Sequence, residues 1–80
     1  MANKQIKPLT LRGLRNKKGL TLGDVSDKLG ISRQAISRWE TGKSSPSVAH
    51  LVALSDIYGV SMDVLVEALK GSMHIPHDPT

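Results

Sequence analysis

Arg33, Gln34, Ser37, Arg38 and Thr41 recur at i, i+1, i+4, i+5 and i+8, a spacing that gathers them on one face of an α-helix. Each suits the edge of a base: arginine pairs with O6 and N7 of guanine, glutamine with N6 and N7 of adenine, and serine with either. No carboxylate stands on this stripe, whereas an ordinary solvated helix face mixes both signs. The chemistry it fits is readout of duplex DNA. Just beyond it, Gly42-Lys43-Ser44-Ser45-Pro46 carries turn residues. Lys43 and Ser44 there stand where a grip on the phosphate backbone is needed, a solvated loop being the plain alternative.

Other reactive groups carry less. His74-x-x-His77 offers two ligand types with Asp78 beside them, but no thiol exists in the chain and Pro76 separates the pair; two ligands do not make a metal site. Serine, histidine and aspartate all occur, yet no nucleophile sits in a recognisable elbow and no glycine-rich phosphate cradle is present. Neither an enzyme nor a cofactor is therefore expected. Trp39 could stack on a base, but its spacing from Ile36 places it by the core. Lys4 and Lys7 form a basic arm suited to trailing along phosphates, or simply to solvation.

The charge pattern agrees with a polyanion partner. The net charge is +4, but ten of the eleven basic residues fall in residues 1–45 against three acidic ones, and only Lys70 against four acidic residues beyond. The halves thus carry about +7 and −3, leaving the second half free for neutral contacts. With 80 residues and no cysteine, the chain reads as one small domain held by packing alone. No apolar run nears the roughly 20 residues of a membrane span, and no apolar region follows Met1-Ala2-Asn3-Lys4, so a cytoplasmic location is expected.

The elements that must hold the stripe read as helices throughout, because no sustained period-two alternation occurs. Pro8 suits a first helical position and Leu11, Leu14, Arg15 and Lys18 follow at helical spacing, predicting a first helix over about 8–18, stopped by Gly19. Thr21 with Asp24 resembles a capping box, and Gly30 ends a short second helix over 22–29. Ser32 caps a third over 33–41, with Ile36, Trp39 and Glu40 turned inward and the polar stripe outward. Ser47 caps a fourth over 48–58, and Ser61 a fifth that Gly71 ends. Residues 1–7 are then a basic arm, 8–69 the folded domain and 70–80 a flexible tail, of which residues 72–80 should be removable with little change in stability or operator affinity. Two short helices joined through Gly30 and Ile31 have the outline of a helix-turn-helix, whose second helix enters the major groove.

Over about residues 8–69 the chain resembles the Cro and phage-repressor type of helix-turn-helix protein, the XRE family. The resemblance rests on Leu11-Arg12-Gly13-Leu14-Arg15, on Lys18-Gly19-Leu20-Thr21, on the run from Leu29 to Lys43, on Pro46-Ser47 and on the run from Tyr58 to Leu65. It implies an all-α, compact five-helix domain of the lambda-repressor type that binds a palindromic operator as a homodimer and regulates transcription. Carried over by position, it implies base contacts from Arg33, Gln34, Ser37 and Arg38. It also implies phosphate contacts from Thr41, Lys43 and the start of the second helix at Thr21, and an ion pair between Arg15 and Glu40. The departures from the family fall in the second helix, where Ser26 replaces the family's usual small alanine. Its usual glutamine just inside the second helix is Leu22 here, leaving the backbone N–H groups at the Thr21 cap to receive that phosphate. Gly23, in the same turn, costs about 1 kcal/mol of helix propensity.

The expected function is sequence-specific, double-stranded DNA-binding regulation of transcription, with repression the expected sign because a lone binding domain acts most simply by occupying its site. An antitoxin-like protein-interaction module on the same fold is the alternative.

Overall fold

A computed structural model describes residues 9–73 as five helices with no strand among them: α1 (Leu11–Lys17), α2 (Leu22–Leu29), α3 (Arg33–Glu40), α4 (Val48–Tyr58) and α5 (Met62–Met73). Each start is fixed by a hydroxyl that satisfies an otherwise orphaned backbone donor. Thr10 Oγ1 accepts the Gly13 N–H at 2.9 Å, Ser32 Oγ that of Ala35 at 3.2 Å, Ser47 Oγ that of His50 at 3.2 Å and Ser61 Oγ that of Val64 at 3.2 Å. At α2 the box is reciprocal: the Asp24 N–H donates to Thr21 Oγ1 at 3.0 Å and the Thr21 N–H to the Asp24 carboxylate at 2.9 Å. Gly30 and Gly59 end α2 and α4 in the left-handed region, at φ 71° and 66°, where a side chain would be strained.

The five helices share one core. Leu11 and Leu14 of α1, Val25 of α2, Ile36 and Trp39 of α3, Leu54 and Tyr58 of α4, and Leu65 and Ala68 of α5 are all buried. Burial of these side chains supplies the main driving force in a chain without disulfides. Across the turn at Gly59 the axes of α4 and α5 are bent by 106°. Among the described residues no single helix is long and apolar enough to cross a membrane.

Four boundaries differ from those the sequence predicts, one being the end of α1 at Lys17 with Lys18 as its C-cap. α1 opens at Leu11 under a Thr10 cap rather than at Pro8, which lies outside the described residues. α3 stops at Glu40, with Thr41 as its C-cap. The larger correction is at the C-terminal end, where α5 runs through Gly71 to Met73. Here glycine is not a stop signal but a place of close approach: a Cβ on Gly71 would overlap the carbonyl oxygen of Leu9. Beside it, buried Ser72 accepts the Leu11 N–H at 2.9 Å and donates to the Ala68 carbonyl at 2.9 Å. Residues 70–73 thus belong to the folded domain, not to a tail. The basic arm with Lys4 and Lys7, and the residues His74, His77 and Asp78, lie outside the described residues.

Candidate nucleic-acid interface

α3 is held from behind, and among the described residues its other face is exposed at Arg33, Gln34 and Arg38. Ile36 is 1% and Trp39 6% exposed. Trp39 packs against His50 of α4, with ring centroids 5.3 Å apart and planes inclined by 43°, a tilted arrangement favoured by aromatic quadrupoles. His50 is itself placed by the α4 cap, its Nδ1 lying 3.1 Å from Ser47 Oγ. Sequence reasoning missed this contact; its signal was the position of His50 three residues after a serine cap.

Glu40 is clamped by α1. Arg15 Nε donates to Glu40 Oε2 at 2.7 Å and Nη2 to Oε1 at 3.0 Å, while Nη1 donates to the Leu20 carbonyl at 3.0 Å. Both side chains are nearly removed from water. The hydrogen bond that Arg15 donates to Glu40 raises its pKa further, against the opposing effect of burial. Tyr58 is pushed up to about 12, chiefly by burial and then by the nearby Glu40 carboxylate. The ion pair implied by the family resemblance is thus present, and it binds α3 to α1 and to the loop that starts α2.

The outward face carries the residues singled out by spacing. Arg33, Gln34, Arg38, Thr41 and Lys43 are exposed, and Ser37 and Ser44 are half-buried. The Thr41 hydroxyl donates to the Ser37 carbonyl at 3.0 Å, so it serves the end of α3. The Lys43 and Ser44 N–H groups donate to the Arg38 carbonyl at 2.9 and 3.3 Å, so what these two residues can still offer outward is the Lys43 ammonium and the Ser44 hydroxyl, beside exposed Ser45. At the other end, Thr21 and Arg33 come together in an open cleft of about 710 Å³ that also holds Leu22, Gly23, Asp24 and Asp27. The Thr21 oxygen accepts within the capping box, so its own proton remains to be given. The N–H from Thr21 holds the Asp24 carboxyl below its ordinary pKa. The Thr21 and Asp24 N–H groups are spent in that box, and those of Leu22 and Gly23 remain at the helix start.

The face therefore runs from the cleft at α2, along α3, to the loop at Lys43, with donors along it, the Asp24 and Asp27 carboxylates at its α2 end and the core behind it. A family model described as helix-turn-helix matches residues 11–65. The SPbeta prophage-derived uncharacterized HTH-type transcriptional regulator YonR of Bacillus subtilis (strain 168) is 42% identical over 62 residues, 78% of this chain and 55% of its own length. The HTH-type transcriptional activator BcrR of Enterococcus faecalis is 39% identical over 56 residues, 70% of this chain and 28% of its own. The uncharacterized HTH-type transcriptional regulator YqaE of Bacillus subtilis (strain 168) is 39% identical over 57 residues, 71% of this chain and 49% of its own. The chain thus spans about half or less of the length of these relatives. No solved structure matches it. With two capped helices joined at Gly30, a clamped second helix and a family match over most of the fold, the chain belongs to the helix-turn-helix family of the XRE type.

Proposed function

We propose that the chain is a sequence-specific, double-stranded DNA-binding regulator of transcription that reads the major groove with α3. The observation that carries this reading is the division of α3 itself: Ile36, Trp39 and Glu40 hold the helix while Arg33, Gln34, Ser37 and Arg38 face outward without a carboxylate among them. The base readers are drawn from those four, and the backbone grip from Thr21, Lys43, Ser44 and, once its hydroxyl turns, Thr41. Repression is the proposed sign, by occupation of a site in the cytoplasm.

A single half-site buries little surface, so the proposed binding form is a homodimer on a palindromic operator with half-sites about one helical turn apart. The twofold contact is placed around α5 and the loop before it, where Met62, Val64 and Val66 are apolar and exposed. Val48 and Val52, 73% and 55% exposed on α4, favour as a second reading a protein-binding module on the same fold.

Selection from randomised duplexes by the wild type, Gln34→Ala and Arg38→Ala tests the proposal. Each substitution should relax preference at one or two base pairs and cost about 1 to 3 kcal/mol on the selected site. An unchanged preference in both variants would remove α3 as a reader and leave the protein-binding module.

A further inference from the structure

We infer that Arg33 is a phosphate anchor, separate in role from Gln34, Ser37 and Arg38, and that Gly23 is the residue that leaves it room. The inference rests on the reading of α3 as the DNA-facing helix and narrows the base-reading set to the other three.

Arg33 opens α3, but its side chain lies across the first turn of α2. Its Cδ and Nε are each 3.9 Å from the point where a Cβ on Gly23 would stand. In a helix-turn-helix the second helix enters the groove while the first crosses the sugar–phosphate backbone. A guanidinium drawn back over α2 is therefore drawn toward phosphate and away from base edges.

Gly23 has no reason of its own to be glycine. It lies inside α2, where glycine is disfavoured relative to alanine, and its φ is not among the positive values. A Cβ there would meet Thr21 Oγ1 at 3.6 Å and Arg33 at 3.9 Å, which is ordinary contact, so alanine fits. A longer side chain would occupy the strip along which the Arg33 stem runs. Space beyond a Cβ at position 23 is therefore what the Arg33 stem uses.

The surroundings agree with an anchor. The neighbouring Leu22 packs against the core and has no donor to offer a phosphate. Asp24 and Asp27 place two carboxylates in the cleft that Arg33 lines, so without the guanidinium this wall repels a phosphate. Among the described residues the ion pairs are Arg15 with Glu40 and Lys70 with Glu67, so the Arg33 donors are not committed to a carboxylate. Thr21 Oγ1 lies 3.6 Å from the same point beside Gly23 and accepts within the capping box, so its proton can serve the same phosphate as the guanidinium.

Arg33→Ala, Arg33→Lys and Gly23→Leu separate the roles. Arg33→Ala should weaken operator and random duplex alike, by about tenfold, lower the salt slope by about one and leave base preference in a randomised selection unchanged. Arg33→Lys should retain the slope, since a point charge suffices for a phosphate. Gly23→Leu should reproduce the loss seen with Arg33→Ala, and the double variant should be no weaker than Arg33→Ala alone, with far-ultraviolet dichroism confirming the fold. Relaxed preference at a defined base pair in Arg33→Ala, or an unaltered salt slope, overturns the inference. The wider reading of α3 stands or falls separately, on Gln34→Ala and Arg38→Ala.

Discussion

Arg15 and Glu40, 25 positions apart, meet at 2.7 and 3.0 Å in a two-point ion pair that fastens the last turn of α3 to α1. The guanidinium also holds the Leu20 carbonyl, so one side chain ties together α1, the start of α2 and the end of α3. A pair so far removed from water contributes modest net stability, yet removal of one half leaves an uncompensated charge. Arg15→Ala and Glu40→Ala should each lower unfolding stability by about 3 to 5 kcal/mol. An apolar exchange of both, Arg15→Met with Glu40→Leu, should cost clearly less than either single change. Denaturant titrations of the three variants check this, and a double variant as unstable as the sum of the singles would refute the coupling.

Trp39 and His50 share the back of α3. Trp39→Ala should destabilise the domain by about 3 to 5 kcal/mol, because a large buried side chain is lost. His50→Ala removes the aromatic contact but little of the core, and about 0.5 to 1.5 kcal/mol is expected. Thermal melts give the ranking directly; equal effects would mean that the histidine, not the core, holds the tryptophan.

The end of α5 is bound to the start of α1. Ser72→Ala leaves the buried Leu11 N–H without its acceptor and should cost about 1 to 3 kcal/mol. Gly71→Ala should also destabilise, although alanine is the better helix former, because the Leu9 backbone occupies the space of its Cβ. A chain ending at Met73 should melt above one ending at Gly71. Unaltered stability in Ser72→Ala would show that this joint carries no energy.

Tyr58 adds an alkaline limit. Its hydroxyl is pushed up to about 12 in the fold, whereas an unfolded tyrosine ionises near pH 10. The protonated side chain is compatible with burial, so its contribution is fully present below about pH 10 and is lost as pH rises toward about 12. Tyr58 is the one tyrosine of the chain, so tyrosinate absorbance reports it without assignment. Tyr58→Phe should flatten the fall in stability over that window; an unchanged pH profile would place the cause elsewhere.

Lys43 is exposed just beyond α3, with its backbone N–H already spent on Arg38. Any grip on DNA must come from its ammonium. Lys43→Ala should weaken all duplexes alike and lower the salt slope by about one. Loss confined to the operator would assign it to base reading instead.

Much of this architecture follows from chemistry local to each segment. Thr21 with Asp24, Ser32 and Ser47 satisfy donors three residues away, and Gly30 and Gly59 stop their helices through their own backbone freedom. The spans of α2 and α4 and the inward and outward faces of α3 were therefore legible without a fold. What the sequence alone misplaced depends on distant partners. Gly71 looks like any helix terminator until Leu9 is seen lying on it, and Ser72 looks like tail until it receives a donor from a residue 61 positions away. Caps and periodicity are short-range and are written in spacing, whereas close approach and side-chain direction exist only once two remote segments occupy the same space.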